Sequence, residues 1–263
     1  MADKTKIDWC DMSWNPVTGC LHDCPYCYAK RVTNRFGAHL TPLSGKQTAI
    51  LEKPDYFMQG NVKVRSSPFP FDFLPTFHRY RLEEPARKTK PRNIFVCSMA
   101  DLFGRWVPVE WIVEVLDACR AAPQHNFLFL TKNPARYEEL DKLALLPRED
   151  NFWYGSTVTA PGMPFFHSEF HKTFLSIEPL LEPFGESEYS SRLTDWAIIG
   201  AETGNRKEKV TPKREWVVEL VQSFQLANVP VFMKSNLSDV WGVPLLQEYP
   251  EGLRRELPKE GAN

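Results

Sequence analysis

Residues 93–132 read NIFVCSMADLFGRWVPVEWIVEVLDACRAAPQHNFLFLTK. Two continuous apolar runs, Asn93–Cys97 and Asn126–Leu130, flank a segment, Pro108–Ala121, in which Trp111, Val115 and Leu116 recur at helical spacing. Short unbroken apolar runs are the mark of strands buried on both faces, and Pro108 suits a first helical turn. Strand, helix, strand predicts a parallel pair joined by a crossover helix. The rhythm continues outward. Further strands are predicted at Phe152–Val158, Thr173–Ile177, Trp196–Gly200 and Val229–Met233, and a first one at Ser13–Thr18. Helical patterns fill Pro134–Leu146 and Pro212–Ala227, the latter opened by Thr211 and Pro212. The fold class that follows is α/β, built on a parallel sheet.

The chain has 263 residues, long enough for a full core, and is expected to form a single domain. Hydrophobic residues make up 43% and charged residues 25%, which excludes wholesale disorder. The 32 basic and 33 acidic side chains give a formal charge of −1, so a polyanion site has to be a local patch. No run approaches the ~20 apolar residues of a membrane span, and no apolar stretch follows the first charges. The expectation is a cytoplasmic protein without a membrane partner. Residues 38–92 break the rhythm. They are proline-rich and lack clear periodicity, and are expected to form an inserted cap after the first helix, with basic residues over His78–Arg92. Residues 250–263 read as a flexible tail.

The predicted strands share one property at their carboxyl ends. Ser98 and Asp101 follow the second, Thr131 and Lys132 the third, and Ser156 and Thr157 close the fourth. Glu178 follows the fifth, Glu202 and Thr203 the sixth, Lys234 and Ser235 the last. In open α/β sheets and barrels that edge holds the ligand. The first strand leads into Gly19-Cys20-Leu21-His22-Asp23-Cys24-Pro25-Tyr26-Cys27-Tyr28, and a helical stretch, Ala29–Phe36, follows. Three of the six cysteines therefore fall within eight residues, on the first strand-to-helix loop. In a reducing compartment such bunching points to a metal site rather than to disulfides. Three thiolates can hold an iron–sulfur cluster and leave one iron without a protein ligand. The alternatives are a zinc-stabilised binding module, Cys3His with His22 as fourth ligand, and an iron–sulfur redox protein without a further cofactor.

The spacing C-x3-C-x2-C, with Tyr26 before the third cysteine, resembles the signature of the radical S-adenosylmethionine (SAM) superfamily. WNPVTGC followed by CPYCYA is similar, more narrowly, to a phage-associated family of uncharacterised proteins with the same cysteine loop. The resemblance implies a partial (β/α)6 TIM-like barrel and an enzyme with a site-differentiated [4Fe-4S] cluster. The cluster would cleave SAM reductively, and the resulting radical would abstract a hydrogen atom from substrate. It implies Cys20, Cys24 and Cys27 as cluster ligands and Tyr26, Ser98, Asp101, Lys132, Ser156, Thr157 and Glu178 as SAM-binding candidates. The family's Gly-Gly-Glu element is absent at Ser98-Met99-Ala100-Asp101. Cys97, placed to return a hydrogen atom, and Glu202 are the catalytic candidates. The partner implied is a flavodoxin- or ferredoxin-like electron donor, and the substrate is left open between a peptide or small molecule and a nucleic acid or nucleotide. The latter rests on Lys30, Arg31, Arg35 and the His78–Arg92 stretch, with its interleaved Phe77 and Tyr80.

Overall fold

The computed structural model describes residues 5–37, 48–54, 56–59, 61–65, 69–185, 193–204 and 206–253. Seven parallel strands form the main sheet: β1 (Met12–Trp14), β7 (Asn93–Val96), β8 (Asn126–Thr131), β9 (Phe152–Thr157), β10 (Lys172–Ile177), β11 (Ala197–Ile199) and β12 (Val231–Met233), side by side in that order. Each matches a predicted run, because a strand buried on both faces has no polar position to interrupt it. The first differs. The expected strand Ser13–Thr18 is two pieces, since Pro16 has no N–H to give to a ladder. Beyond it β2 (Val17–Thr18) turns away and pairs with β6 (Thr76–His78), which in turn pairs with β3 (Ala49–Leu51).

The helices are α1 (Tyr28–Phe36), α2 (Val109–Arg120), α3 (Ala135–Lys142), α4 (Arg214–Leu226) and the single turn α5 (Ser238–Trp241). Among the described residues none of them lies between β9 and β10, so strand–helix alternation is incomplete. α2 and α3 bury Trp111, Ile112, Val115 and Leu140 against one outer face of the sheet. α4 buries Val217, Leu220, Val221 and Phe224 against the half carrying β10 to β12. No helix of the described residues is long and apolar enough to cross a membrane.

A third cluster fills the concave face. Trp9 lies 4.7 Å from the Phe95 ring on β7 and 6.1 Å from Phe174 on β10. Those strands are three places apart, ~14 Å across a flat sheet, so the sheet must curl for one indole to meet both. Trp9 belongs to a short segment before β1 that reaches the opposite edge. Ser235 N, just past β12, donates to Asp8 Oδ2 (2.7 Å), and Tyr249 Oη donates to the Asp8 carbonyl (3.4 Å). Residues 7–9 thus link the two free edges of the curled sheet.

The insertion differs from the expected cap in two ways. It contains β3, the hairpin β4 (Tyr56–Gln59) and β5 (Val62–Arg65), and β6, whereas its sequence shows no periodicity because these strands are only three or four residues long. The basic stretch is also not placed over the mouth. Arg79 pairs with Glu114 on α2 (2.8 Å) and His125, before β8, bonds the Pro85 carbonyl (3.1 Å), so the stretch runs down the outside toward the amino ends of the strands. His78 and Arg81 are buried in it. The tail beyond Leu253 lies outside the described residues.

Trp9 is 2% exposed and joins elements from both edges. Trp9→Ala is therefore expected to cost about 3–5 kcal/mol, measured as a lower midpoint in urea unfolding.

Candidate active site

The cysteine loop is fixed at both ends by backbone geometry. Gly19 has φ +85°, and a Cβ there would come within 2.3 Å of the Leu74 carbonyl oxygen, so no other residue fits. Gly19 N donates to Met99 O (3.0 Å) and Cys20 N to Phe73 O (3.1 Å). The inserted segment before β6 therefore braces the loop from outside. At its far end Cys27 caps α1, its Sγ accepting from Lys30 N at 3.4 Å.

All three thiols line one cavity of about 450 Å³ at the carboxyl ends of the strands. Burial pushes the Cys20 thiol up to about 12; a backbone bond from His22 opposes this, and Asp101, Cys24 and Cys27 add to it. Burial also raises Cys24, against the pull of Lys132. The sulfurs share one electrostatic environment. Yet among the described residues no three His, Cys, Asp or Glu side chains are arranged to hold a metal ion.

Asp101 organises the middle of the site. Oδ1 accepts from Phe103 N (3.0 Å) and Thr131 Oγ1 (2.8 Å); Oδ2 accepts from Lys132 N (2.9 Å) and is bonded to His22 Nε2 (2.7 Å). The His22 ring stands edge-on to Trp106, centroids 4.8 Å apart. One buried carboxylate thus ties the cysteine loop to the end of β8. Its four partners make it a positioning residue for the loop. Ser98 is oriented similarly: its Oγ donates to Asn15 Oδ1 (3.2 Å) and its carbonyl accepts from Tyr28 Oη.

The remaining carboxylates are also balanced. Glu178 pairs with Lys234 across the end of β11, where a Cβ on Gly200 would come 3.0 Å from Lys234 Cδ and 3.3 Å from Glu178 Cγ. Glu202 is bound by Arg206 through two bonds (2.8 and 2.9 Å) and by Val210 N (3.3 Å). Arg206 holds the Glu202 carboxyl below its ordinary range, and burial only partly offsets this. Lys132 lies with Nζ 5.5 Å from the Tyr26 ring centre. Burial raises the Tyr26 phenol to about 12.

A family model described as "Protein of unknown function (DUF5131)" matches residues 4–242. The chain belongs to that family. No curated protein and no solved structure matches it.

In this DUF5131 chain the cavity gathers Cys20, Cys24, Cys27, Tyr26, Ser98, Asp101, Lys132, Thr157, Glu178 and Glu202, ten of the twelve expected site residues. Cys97 and Ser156 lie elsewhere. Side chains alternate along a strand, so with Thr157 turned inward Ser156 faces the other side, where its Oγ accepts from Phe166 N (2.9 Å). Cys97 packs in the outer core among Trp14, Phe77 and Cys119, and burial pushes its thiol up to about 12. A hydrogen-atom donor has no access from there. The lining also includes Lys6, Ile7 and Trp9 from the segment before β1, together with Ser176 and Lys234. Lys234 was visible in sequence as a polar strand end. The pre-β1 segment carried no signal, because its placement depends on the two sheet edges meeting it.

Removing the Asp101 carboxylate strands several buried donors. Asp101→Ala is expected to lower stability by at least about 2 kcal/mol in urea unfolding, and Asp101→Asn by less. Because the folded carboxyl of Glu202 lies below its unfolded value, its contribution is complete above the ordinary carboxylate range near 4.5 and is lost as pH falls through the folded value. Glu202→Gln should therefore flatten the acid limb of stability plotted against pH, while a variant as steep as wild type would contradict this pairing.

Proposed function

We propose that this protein is an enzyme of radical SAM type, with Cys20, Cys24 and Cys27 as ligands of a [4Fe-4S] cluster and SAM bound beside it. The observation that carries this reading is three thiols on one strand-to-helix loop, all lining a single cavity at the carboxyl edge of a curled parallel sheet. The curled sheet is read, on the same proposal, as a partial (β/α)6 TIM-like barrel with one added strand. The donor set fits the group chemically. It offers three soft donors, and two of them are held protonated by burial until a cation compensates their charge. When bound, such a cluster supplies the electron that splits the sulfonium of SAM.

The chain's own residues do the rest. Asp101 fixes the cysteine loop through His22 and presents the end of β8. Lys132 is placed to face an anionic group such as the SAM carboxylate, and its charge favours the thiolate at Cys24. Thr157 and Ser98 offer hydroxyls to the lining, and the Glu178–Lys234 pair offers one group of each sign. Trp9, Phe95 and Leu130 present an apolar wall that excludes water. An external electron donor is required, of flavodoxin or ferredoxin type.

A second reading is favoured by one contact. A carboxylate on His22 Nε2 is the arrangement that leaves the other ring nitrogen as a lone-pair donor, as in carboxylate–histidine–zinc sites. A Cys3His zinc site therefore competes. Anaerobic reconstitution separates the two. Four irons and four sulfides per chain, a reduced-cluster electron paramagnetic resonance signal perturbed by SAM, and 5′-deoxyadenosine formed with dithionite are expected. Cys24→Ala should abolish all three. One zinc per chain and no 5′-deoxyadenosine from the fully loaded protein would overturn the proposal in favour of zinc.

A further inference from the structure

The cavity, at about 450 Å³, lies in the lower half of the range that holds one drug-sized ligand. A second reactant has to be met at the mouth, and the charge of the mouth then selects it. Two segments far apart in sequence meet there. Arg31 on α1 donates to the carbonyl of Thr203 (3.3 Å), and a Cβ on Gly204 would come within 2.7 Å of the Arg31 guanidinium. Residues 30–36 and 203–213 together carry seven basic side chains and one acidic side chain, in a protein whose net charge is −1. Lys30 is paired with Asp23, and Arg206 with Glu202. Among the described residues no carboxylate lies within ion-pair distance of Arg31, Arg35, Lys207, Lys209 or Lys213, and Lys209 acts on Glu202 only through its field. The loop bearing the three lysines is held at the rim by Glu202, whose carboxylate takes both Arg206 and Val210 N.

We infer that this rim binds single-stranded nucleic acid, with α1 and residues 206–213 tracking phosphates and presenting a nucleotide to the cavity. Charge alone suits any polyanion. The aromatic groups decide between polyanions: Tyr28, Arg31 and Arg35 share a helical face at i, i+3 and i+7, Tyr28 is 43% and Phe36 55% exposed, and the Arg35 guanidinium lies 5.2 Å from the Phe36 ring centre. Exposed aromatic rings among cations are a stacking platform for bases, which a row of phosphates alone would not need. The inference rests on the radical SAM reading for its chemistry and stands apart from it for binding.

The test uses the full chain without added metal or SAM, and a fluorescent 20-nucleotide single-stranded RNA, with its DNA counterpart, titrated between 50 and 200 mM salt. Log affinity is expected to fall with log salt at a slope of about −3, corresponding to roughly four phosphate contacts. Lys207→Gln/Lys209→Gln/Lys213→Gln should make that slope shallower by about 2. Phe36→Ala should weaken binding about fivefold or more while leaving the slope unchanged. No binding at 50 mM salt, or a triple variant with the wild-type slope, overturns the inference. So does competition by polyglutamate as effective as by RNA with Phe36→Ala neutral, which would assign the rim to an acidic protein. RNA binding with no SAM cleavage would sink the earlier reading alone, and SAM cleavage without RNA binding this one alone.

Discussion

A single buried carboxylate sets the geometry of the cavity. Asp101 lies beyond the end of β7 and has both oxygens filled by donors from three places: its own turn, the end of β8, and the cysteine loop. Charge-assisted bonds in a site with little water are stronger than neutral ones, and leaving any of the donors unmet is costly. The cysteine loop depends on this tie, because its other anchors are backbone bonds at Gly19 and Cys20, the cap at Cys27, the exposed Lys30–Asp23 pair within the same segment and the Lys132 contact with the Tyr26 ring. The loop between is held by His22.

The same logic runs around the rim. Each carboxylate in the lining is matched locally: Glu178 by Lys234, Glu202 by Arg206. The glycines serve this balance. Gly200 leaves room for the Lys234 side chain to cross β11, and Gly19 lets the loop approach the Leu74 backbone. With its acids neutralised within the protein, the mouth's cations remain available to what lies outside.

The sheet was legible in the sequence because its strands are buried on both faces, so NIFVC, NFLFL and their counterparts stand out as unbroken apolar runs. The edge carrying the site was legible because a strand leaving such a core must turn polar where it meets the cavity, as at Thr131-Lys132 and Glu178. Facing was not. Ser156 and Thr157 are neighbours of like chemistry, and only the pleat decides that Thr157 alone lines the cavity. Cys97, at φ +59°, has left the strand by the point where its direction matters. The inserted segment was opaque because strands of three or four residues carry too little periodicity, and its basic run is spent on outer-face contacts such as Arg79 with Glu114. The segment before β1 gained its role only through partners distant in sequence, up to 241 residues away.

That last distance has a consequence for biosynthesis. Asp8 and Ser235 are separated by 227 positions, so the wall they complete cannot form until residue 235 has left the ribosome. The amino-terminal cysteines emerge early and wait, accessible, for the final strand.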